Sequence, residues 1–473
     1  MGYLVVPQDL DPQGGTACLW LGTFDPKAPP GPADLRLESP GDARSFPVAA
    51  ADWKPARTKP AGKDAATLFT HRVVATALAP ATEYRAELLA GDGSILARGR
   101  FTTLPLALPA EGERPLRLYV GSCFDYRRDG AGDVGRTYRQ LAETHQRRPD
   151  LKVLCGDQVY LDVALGWFWG NLGGAWHKDD PAWFEDKFLA TYRATWQQEG
   201  AFADLLADGA TLLASDDHEF WNNYPSWSPL ALGGGRGSEW EKVSRRLYDA
   251  IQADRAVLSL DLPGLSLFVA DTRVHRDGED FMAPADFERL LGWTRGLDRP
   301  GVLVVGQPIL ASRHDGVLGK LKGTLGDWAL PDFDRQYPRL VRALREAPHS
   351  VVALTGDVHF GRVGVTALDP VRGTELVEIV SSPLALVDEK ARGKWGDSPG
   401  LFPADSIPGV ARTAVAYTNF LPEPAGPKRA AEHFVVVELT REGSATWVRA
   451  WAHPVRDRTL PAGGVLVCER KLL

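Results

Sequence analysis

Five times along this chain a short apolar run passes directly into a polar motif, and no other feature limits the possible folds so strongly. Leu116 to Val120 runs into Gly121-Ser122-Cys123, and Leu151 to Cys155 into Gly156-Asp157-Gln158-Val159-Tyr160. Thr211 to Ala214 meets Ser215-Asp216-Asp217-His218-Glu219, with Asn222-Asn223-Tyr224 just beyond. Ser266 to Ala270 meets Asp271-Thr272-Arg273, and Val351 to Leu354 meets Thr355-Gly356-Asp357-Val358-His359. Short continuous apolar runs bounded by turn residues read as buried strands. Helical patterns lie between them at Pro181 to Gln198 and Ser238 to Ala256, the second opened by Ser238 as N-cap with Glu241 at the third helical position. Further strands are predicted at Val302 to Val305, Glu375 to Val380, Phe434 to Leu439 and Ala445 to Trp451. Strands alternating with helices indicate an α/β fold. Ligands of open α/β sheets bind outside the carboxyl ends of the strands, so the five polar loops predict one shared site.

The first 105 residues follow another rule. Thr67 to Ala77 and Thr82 to Leu89 are β-branched or alternating, Asp92-Gly93 signals a turn, and Ile95 to Thr103 supplies the hairpin partner. Leu78 to Tyr84 ahead of Phe101 to Pro105 resembles the end of a fibronectin-III-like sandwich, in which a Tyr anchors a corner. A chain of 473 residues exceeds one average domain. The expected division is a β-sandwich domain over 1–105, a linker rich in Pro, Ala, Glu and Gly over 106–115, and a catalytic domain over 116–473.

Composition narrows the functional classes. With 44% hydrophobic and 24% charged residues the chain can bury a sizeable core. A net charge of −7 with no block of Lys or Arg argues against nucleic acid as a partner. A negative protein acting on a negative substrate needs local cations, which bound metals supply. The four cysteines form no C-x-x-C pair and no disulfide framework. The opening Met1 to Pro7 lacks a basic region, and no stretch approaches the roughly 18 apolar residues of a membrane-spanning helix. As it stands the chain reads as soluble and cytoplasmic, without membrane insertion, or as periplasmic or secreted if a leader has been removed.

Asp, Asn, His, Tyr and Cys together offer oxygen, nitrogen and sulfur ligands, a mixture suited to a transition metal or a mixed pair. Two metals roughly 3.5–4 Å apart need a bridging carboxylate and can clamp both oxygens of an in-line phosphoryl displacement. Asp157 and Asp357, each after a Gly, are the natural candidates. His359 stands two residues beyond Asp357, on the same side of an extended segment.

In this order the five motifs resemble the PhoD-like (alkaline phosphatase D) metallophosphatases of the calcineurin-like superfamily, over roughly residues 116 to 440. The N-terminal sandwich matches the small domain that commonly precedes that catalytic domain. The resemblance implies a four-layer αββα sandwich and a centre of ferric iron and calcium. Carried over, Cys123, Asp157, Tyr160 and His359 hold the iron. Asp157 bridges to calcium, which Asp357 and either Asn222 or Asn223 also bind. In the wider superfamily an Asn ligand stands at the position of Asp217, making Asp217 a direct ligand or a supporting residue. The family's usual Gln before a Trp has no match around Trp293.

Each residue has a blander reading. Gly-Asp commonly caps a turn, a lone His is usually structural, and a Cys is usually a small buried apolar residue, as Cys155 is expected to be. Tyr160, with an ordinary pKa near 10, would be packing without the resemblance. His218 serves as general acid or merely orients a neighbour. Arg273 offers a fork for phosphate oxygens or pairs with Asp271. The Trp-rich stretch from Trp167 and Trp169 through Trp176, Trp183 and Trp196 is core packing or a lid. The expected activity is hydrolysis of small-molecule phosphate esters by metal-activated water. The alternatives are a phosphodiesterase or phospholipase D-like enzyme on the same centre, and a surface-binding protein with a vestigial site. No pattern specifies the oligomeric state.

Overall fold

Two periodicities divide the chain, and the computed structural model follows both. It describes residues 2–24, 29–58, 65–130, 132–163, 175–226, 233–313, 328–385, 398–420, 432–456 and 463–473. The first part is all strand: β1 (Gly2–Asp11), β2 (Thr16–Phe24), β3 (Ala33–Ser39), β4 (Asp42–Val48), β5 (Lys54–Pro55), β6 (Leu68–Ala75), β7 (Glu83–Ala90) and β8 (Ile95–Thr102). Then β9 (Leu116–Gly121), α1 (Asp133–Arg139), β10 (Leu151–Cys155), α2 (Pro181–Trp196), α3 (Phe202–Ala207), β11 (Ala210–Ala214) and α4 (Glu239–Ile251) follow. After them come β12 (Val257–Leu262), β13 (Leu265–Ala270), α5 (Pro284–Arg295), β14 (Gly301–Val304), α6 (Tyr337–Glu346) and β15 (Val351–Thr355). The chain closes with β16 (Arg362–Asp369), β17 (Thr374–Val380), β18 (Leu401–Phe402), β19 (Thr413–Asn419), β20 (His433–Glu442), β21 (Ala445–Pro454) and β22 (Val465–Leu472).

The early strands form two antiparallel sheets, ordered β1-β2-β6-β5 and β4-β3-β7-β8. In β7 the inward Tyr84, Ala86 and Leu88 are buried while Glu83 and Arg85 are exposed, the period-two pattern of a strand with one face on a core. The Ala79 N–H donates to the Tyr84 hydroxyl at 2.9 Å, which ties down the chain entering that strand. The stretch 106–115 is pinned at two places. Leu108 is buried and its N–H bonds to Pro263 O at 2.9 Å, and the Glu111 N–H bonds to Arg441 O at 2.9 Å.

From residue 116 onward the strands form a six-stranded sheet, β11-β10-β9-β20-β21-β22, and an eight-stranded one, β12-β13-β14-β15-β17-β16-β19-β18. β9, β10 and β11 are parallel to one another, as are β13, β14, β15 and β17. Alternate residues separate the layers. Leu118, Val120, Val153, Val269, Val304 and Leu354 share the core between the two sheets. Tyr119, Leu154 and Phe434 pack outward with Val134 of α1, Phe188 of α2 and Leu247 of α4. Phe268, Leu303 and Ala353 pack outward with Leu290 of α5 and Leu344 of α6. Helices therefore cover both outer faces. Strands buried on both sides are mostly apolar, which is why they read as near-continuous runs, with buried Lys152 of β10 an exception.

Trp196 of α2, Trp240 of α4 and Trp221 are fully buried, whereas Trp176 is 85% exposed. Trp167 and Trp169, the residues of the lid reading, lie outside the described residues. Among the described residues no helix is long and apolar enough to cross a membrane.

Candidate metal centre

The carboxyl ends of β9, β10, β11 and β15 come so close that glycine is required where their loops cross. Gly156 has φ +97°, and a Cβ there would stand 2.5 Å from Asp216 Cβ. A Cβ on Gly356 would stand 2.5 Å from Ser122 Oγ and 2.6 Å from Cys155 O. Each Gly-Asp motif thus lets one loop pass over another and turn its Asp inward. Cys123, Asp157, Asn223, Asp357 and His359 all adopt positive φ, between 55° and 67°. Non-glycine residues pay for that conformation, and such strain concentrates at functional sites held by their surroundings.

These loops bring the donor atoms together. Ligand atoms of Cys123, Asp157 and His359 lie within 4.8 Å of one another, as do those of Asp157, Asp216, Asp217 and Asp357. A third group within the same limit joins Asp157, Asp217 and His218. Cys123 Sγ stands 3.5 Å from Asp157 Oδ2. The Tyr160 hydroxyl stands 3.4 Å from the same oxygen. Asp157 belongs to all three groups and sits at the junction of a sulfur- and nitrogen-bearing side and an all-carboxylate side.

A layer of buried hydrogen bonds holds these groups. Glu219 accepts the N–H of Asp157 at 2.9 Å, of Gln158 at 2.7 Å and of Asp216 at 2.9 Å, so one carboxylate fixes two loops. Asp162 accepts at 2.8 Å from His218 Nδ1 and at 3.0 Å from the Asn222 N–H. Gln307 donates to Asp357 Oδ2 at 2.9 Å and accepts from Arg276 Nη2 at 2.8 Å. Ser122 donates its hydroxyl to Ser381 O at 2.9 Å, within the loop structure.

Arg273 is fully buried. Its Nε lies 2.6 Å from Asp216 Oδ1, its Nη1 donates to Tyr224 O at 2.7 Å, and its backbone N–H bonds to Asp271 Oδ1 at 2.9 Å. These side-chain bonds join the third motif to the fourth. Asn222 and Asn223 differ in setting: the Asn223 N–H bonds to the Asp217 carboxylate, while Asn222 bonds to Asp162. Cys155 is buried within its strand.

Burial pushes the Asp157 carboxyl well above the ordinary carboxylate range; His218 pulls it down, and Asp217, Asp216 and Glu219 push it further up. Burial, then Asp157 and Asp357, likewise raise the Cys123 thiol. Burial, then Cys123 and Asp157, raise the Tyr160 hydroxyl. Burial lifts Glu219 to about 7 against the N–H groups that bond it. So many acidic groups sharing one largely buried site repel one another, and a bound cation would reverse that balance.

Sequence reasoning passed over Asp162, Asp216, Glu219 and Gln307 as site residues. Asp216 and Glu219 stand inside the third motif. Gln307 follows β14 directly, in Val305-Gly306-Gln307, the same strand-to-polar pattern as the other motifs. Asp162 had only its spacing from Tyr160 to mark it.

No protein-family profile matches the chain, and no curated protein matches it in sequence. In structure it is similar to a purple acid phosphatase isolated from yellow lupin (Lupinus luteus) seeds. The TM-score is 0.58 at 12% sequence identity, over 99% of this chain and 73% of that one. At such identity the likeness speaks for the fold, and the chain has a mixed α/β, metallophosphatase-like fold.

Proposed function

We propose that this chain is a metal-dependent phosphoester hydrolase of the PhoD-like kind, acting on small-molecule phosphate mono- or diesters. The observation that carries the reading is the convergence of Cys123, Asp157, Tyr160, Asp217, Asp357 and His359 from separate strand ends on one largely buried, carboxylate-rich place. The fold neighbour's being a phosphatase supports it.

The donor set fits two cations of different character. Cys123, Tyr160 and His359 would hold a transition-metal ion such as ferric iron together with Asp157. Asp217, Asp357 and an Asn, with Asn223 favoured because its backbone N–H bonds Asp217, would hold an oxygen-liganded, calcium-type ion. When bound there, such cations would supply neutralisation of phosphoryl charge and a lowered pKa of water. The chain's own residues do the rest. His218, held through Nδ1 by Asp162, has Nε2 to give a proton to the departing alkoxide. Arg273, occupied by Asp216 and Tyr224 O, aligns the third and fourth motifs and is a positioning residue in this reading. We read residues 1–105 as a fibronectin-III-like domain and 116–473 as the catalytic domain, supported by the strand order and the Tyr84–Ala79 bond.

The test is hydrolysis of p-nitrophenyl phosphate and bis(p-nitrophenyl) phosphate by wild type and Asp157→Asn. The substitution should cut turnover at least about a thousandfold on both substrates while the melting temperature stays in the folded range. Near-wild-type turnover in Asp157→Asn overturns the reading, and the ratio of the two rates assigns mono- or diester preference.

A further inference from the structure

The last four carbonyls of an α-helix have no partner within the helix. At the end of α4 they are taken up by side chains of one N-terminal sheet, β1-β2-β6-β5. Arg72 Nη2, on β6, donates to Asp249 O at 2.9 Å. Trp20 Nε1, on β2, donates to Ala250 O at 2.8 Å. Gln8 Nε2, on β1, donates to Gln252 O at 3.0 Å and to Ile251 O at 3.4 Å. Trp20 and Gln8 are buried, and Arg72 also places positive charge at the negative end of the helix dipole. Three neighbouring strands thus act together as the C-terminal cap of a helix in another layer of the molecule.

The capped turn also reaches the candidate metal centre. Gln252 Nε2 donates to Glu219 Oε1 at 3.4 Å, and Glu219 holds the backbone of Asp157, Gln158 and Asp216. The Tyr248 hydroxyl donates to Asp271 Oδ2 at 2.7 Å, and Asp271 accepts the Ser215 N–H at 2.8 Å. One end of one helix therefore touches the sandwich on one side and both carboxylates that fix the ligand-bearing loops on the other.

We propose that the N-terminal sandwich is a positioning element of the metal centre. By capping α4 it sets Gln252 and Tyr248, and through Glu219 and Asp271 it sets the loops that carry Asp157 and Asp217. Gln8, Trp20 and Gln252 are positioning residues. The inference rests on the proposed function only in requiring that a cation bind at Asp157.

The test uses the full chain and Mn2+ alone, with binding followed by the electron paramagnetic resonance of the free ion, and the visible spectrum of the Co2+ form. Gln252→Leu should weaken Mn2+ about tenfold and shift the Co2+ bands. Gln8→Leu and Trp20→Phe, both remote from the centre, should each weaken Mn2+ about threefold. Gln8→Leu combined with Gln252→Leu should lose less than the two effects multiplied, since both act through one path. Folded Gln8→Leu and Trp20→Phe proteins with wild-type Mn2+ affinity and Co2+ spectrum, whatever their melting temperature, overturn the inference. Wild-type protein whose Mn2+ binding is absent, or is untouched by Asp157→Asn, overturns the metal-centre reading itself.

Discussion

Replacing Gln307 by Met tests whether Asp357 needs an outside hand to hold it. Met is close to Gln in volume and flexibility, so packing is nearly conserved and the change falls on polar contacts. On one side the Asp357 carboxylate loses the 2.9 Å bond from Gln307 Nε2. A hydrogen bond to a charged group contributes about 1.5–3 kcal/mol, so ligand positioning worth about 10- to 150-fold in metal affinity or turnover should be lost. On the other side Arg276, 2% exposed, loses the acceptor that Gln307 Oε1 provides at 2.8 Å. That should cost about 1–3 kcal/mol of stability. The assay is turnover of p-nitrophenyl phosphate at saturating and limiting metal, with urea unfolding of the same samples. Activity should fall most at limiting metal and recover in part at high metal. Full turnover at limiting metal would refute the reasoning, because Asp357 would then be held without Gln307.

Two other consequences concern colour and pH. If Tyr160 is ligated to ferric iron, the purified protein should absorb in the visible, and Tyr160→Phe should bleach that band while iron content persists; an unchanged spectrum removes Tyr160 from the ligand set. Burial, then Arg147 and His145, push His453 from 6.5 down to about 3. The unfolded chain takes up that proton near pH 6.5 and the folded chain does not, so stability is complete above pH 6.5 and falls as pH drops toward 3. His453→Leu should abolish that part of the acid limb, a difference from wild type of about 2–3 kcal/mol between pH 6.5 and 4.5. A difference that stays constant with pH, measured by urea unfolding, would contradict it.

Much of the layout was legible because parallel strands buried on both faces are mostly apolar. The runs at Leu151 to Cys155, broken only by Lys152, and at Val351 to Leu354 mark such strands, and the motifs behind them inherit their placement. Ser238 caps α4 as its spacing with Glu241 suggested, its Oγ accepting the Glu241 N–H at 3.1 Å. Strands whose faces are unlike, such as β16 and β19, carry weaker signals and went unread. Among site residues, those with metal-ligand chemistry stood out by type. Glu219, Asp162 and Gln307 act by bonding to partners 50 to 62 residues away along the chain, and no local pattern announces that. The role of Gln8 and Trp20 is more remote still, since capping α4 is a tertiary event.

Anomalous diffraction from crystals of the metal-loaded protein tests the central claim most directly. The account predicts two peaks on either side of the Asp157 carboxylate, one contacting Cys123, Tyr160 and His359, the other contacting Asp217 and Asp357. Peaks elsewhere, or none at Asp157 in protein that binds metal stoichiometrically, would contradict it.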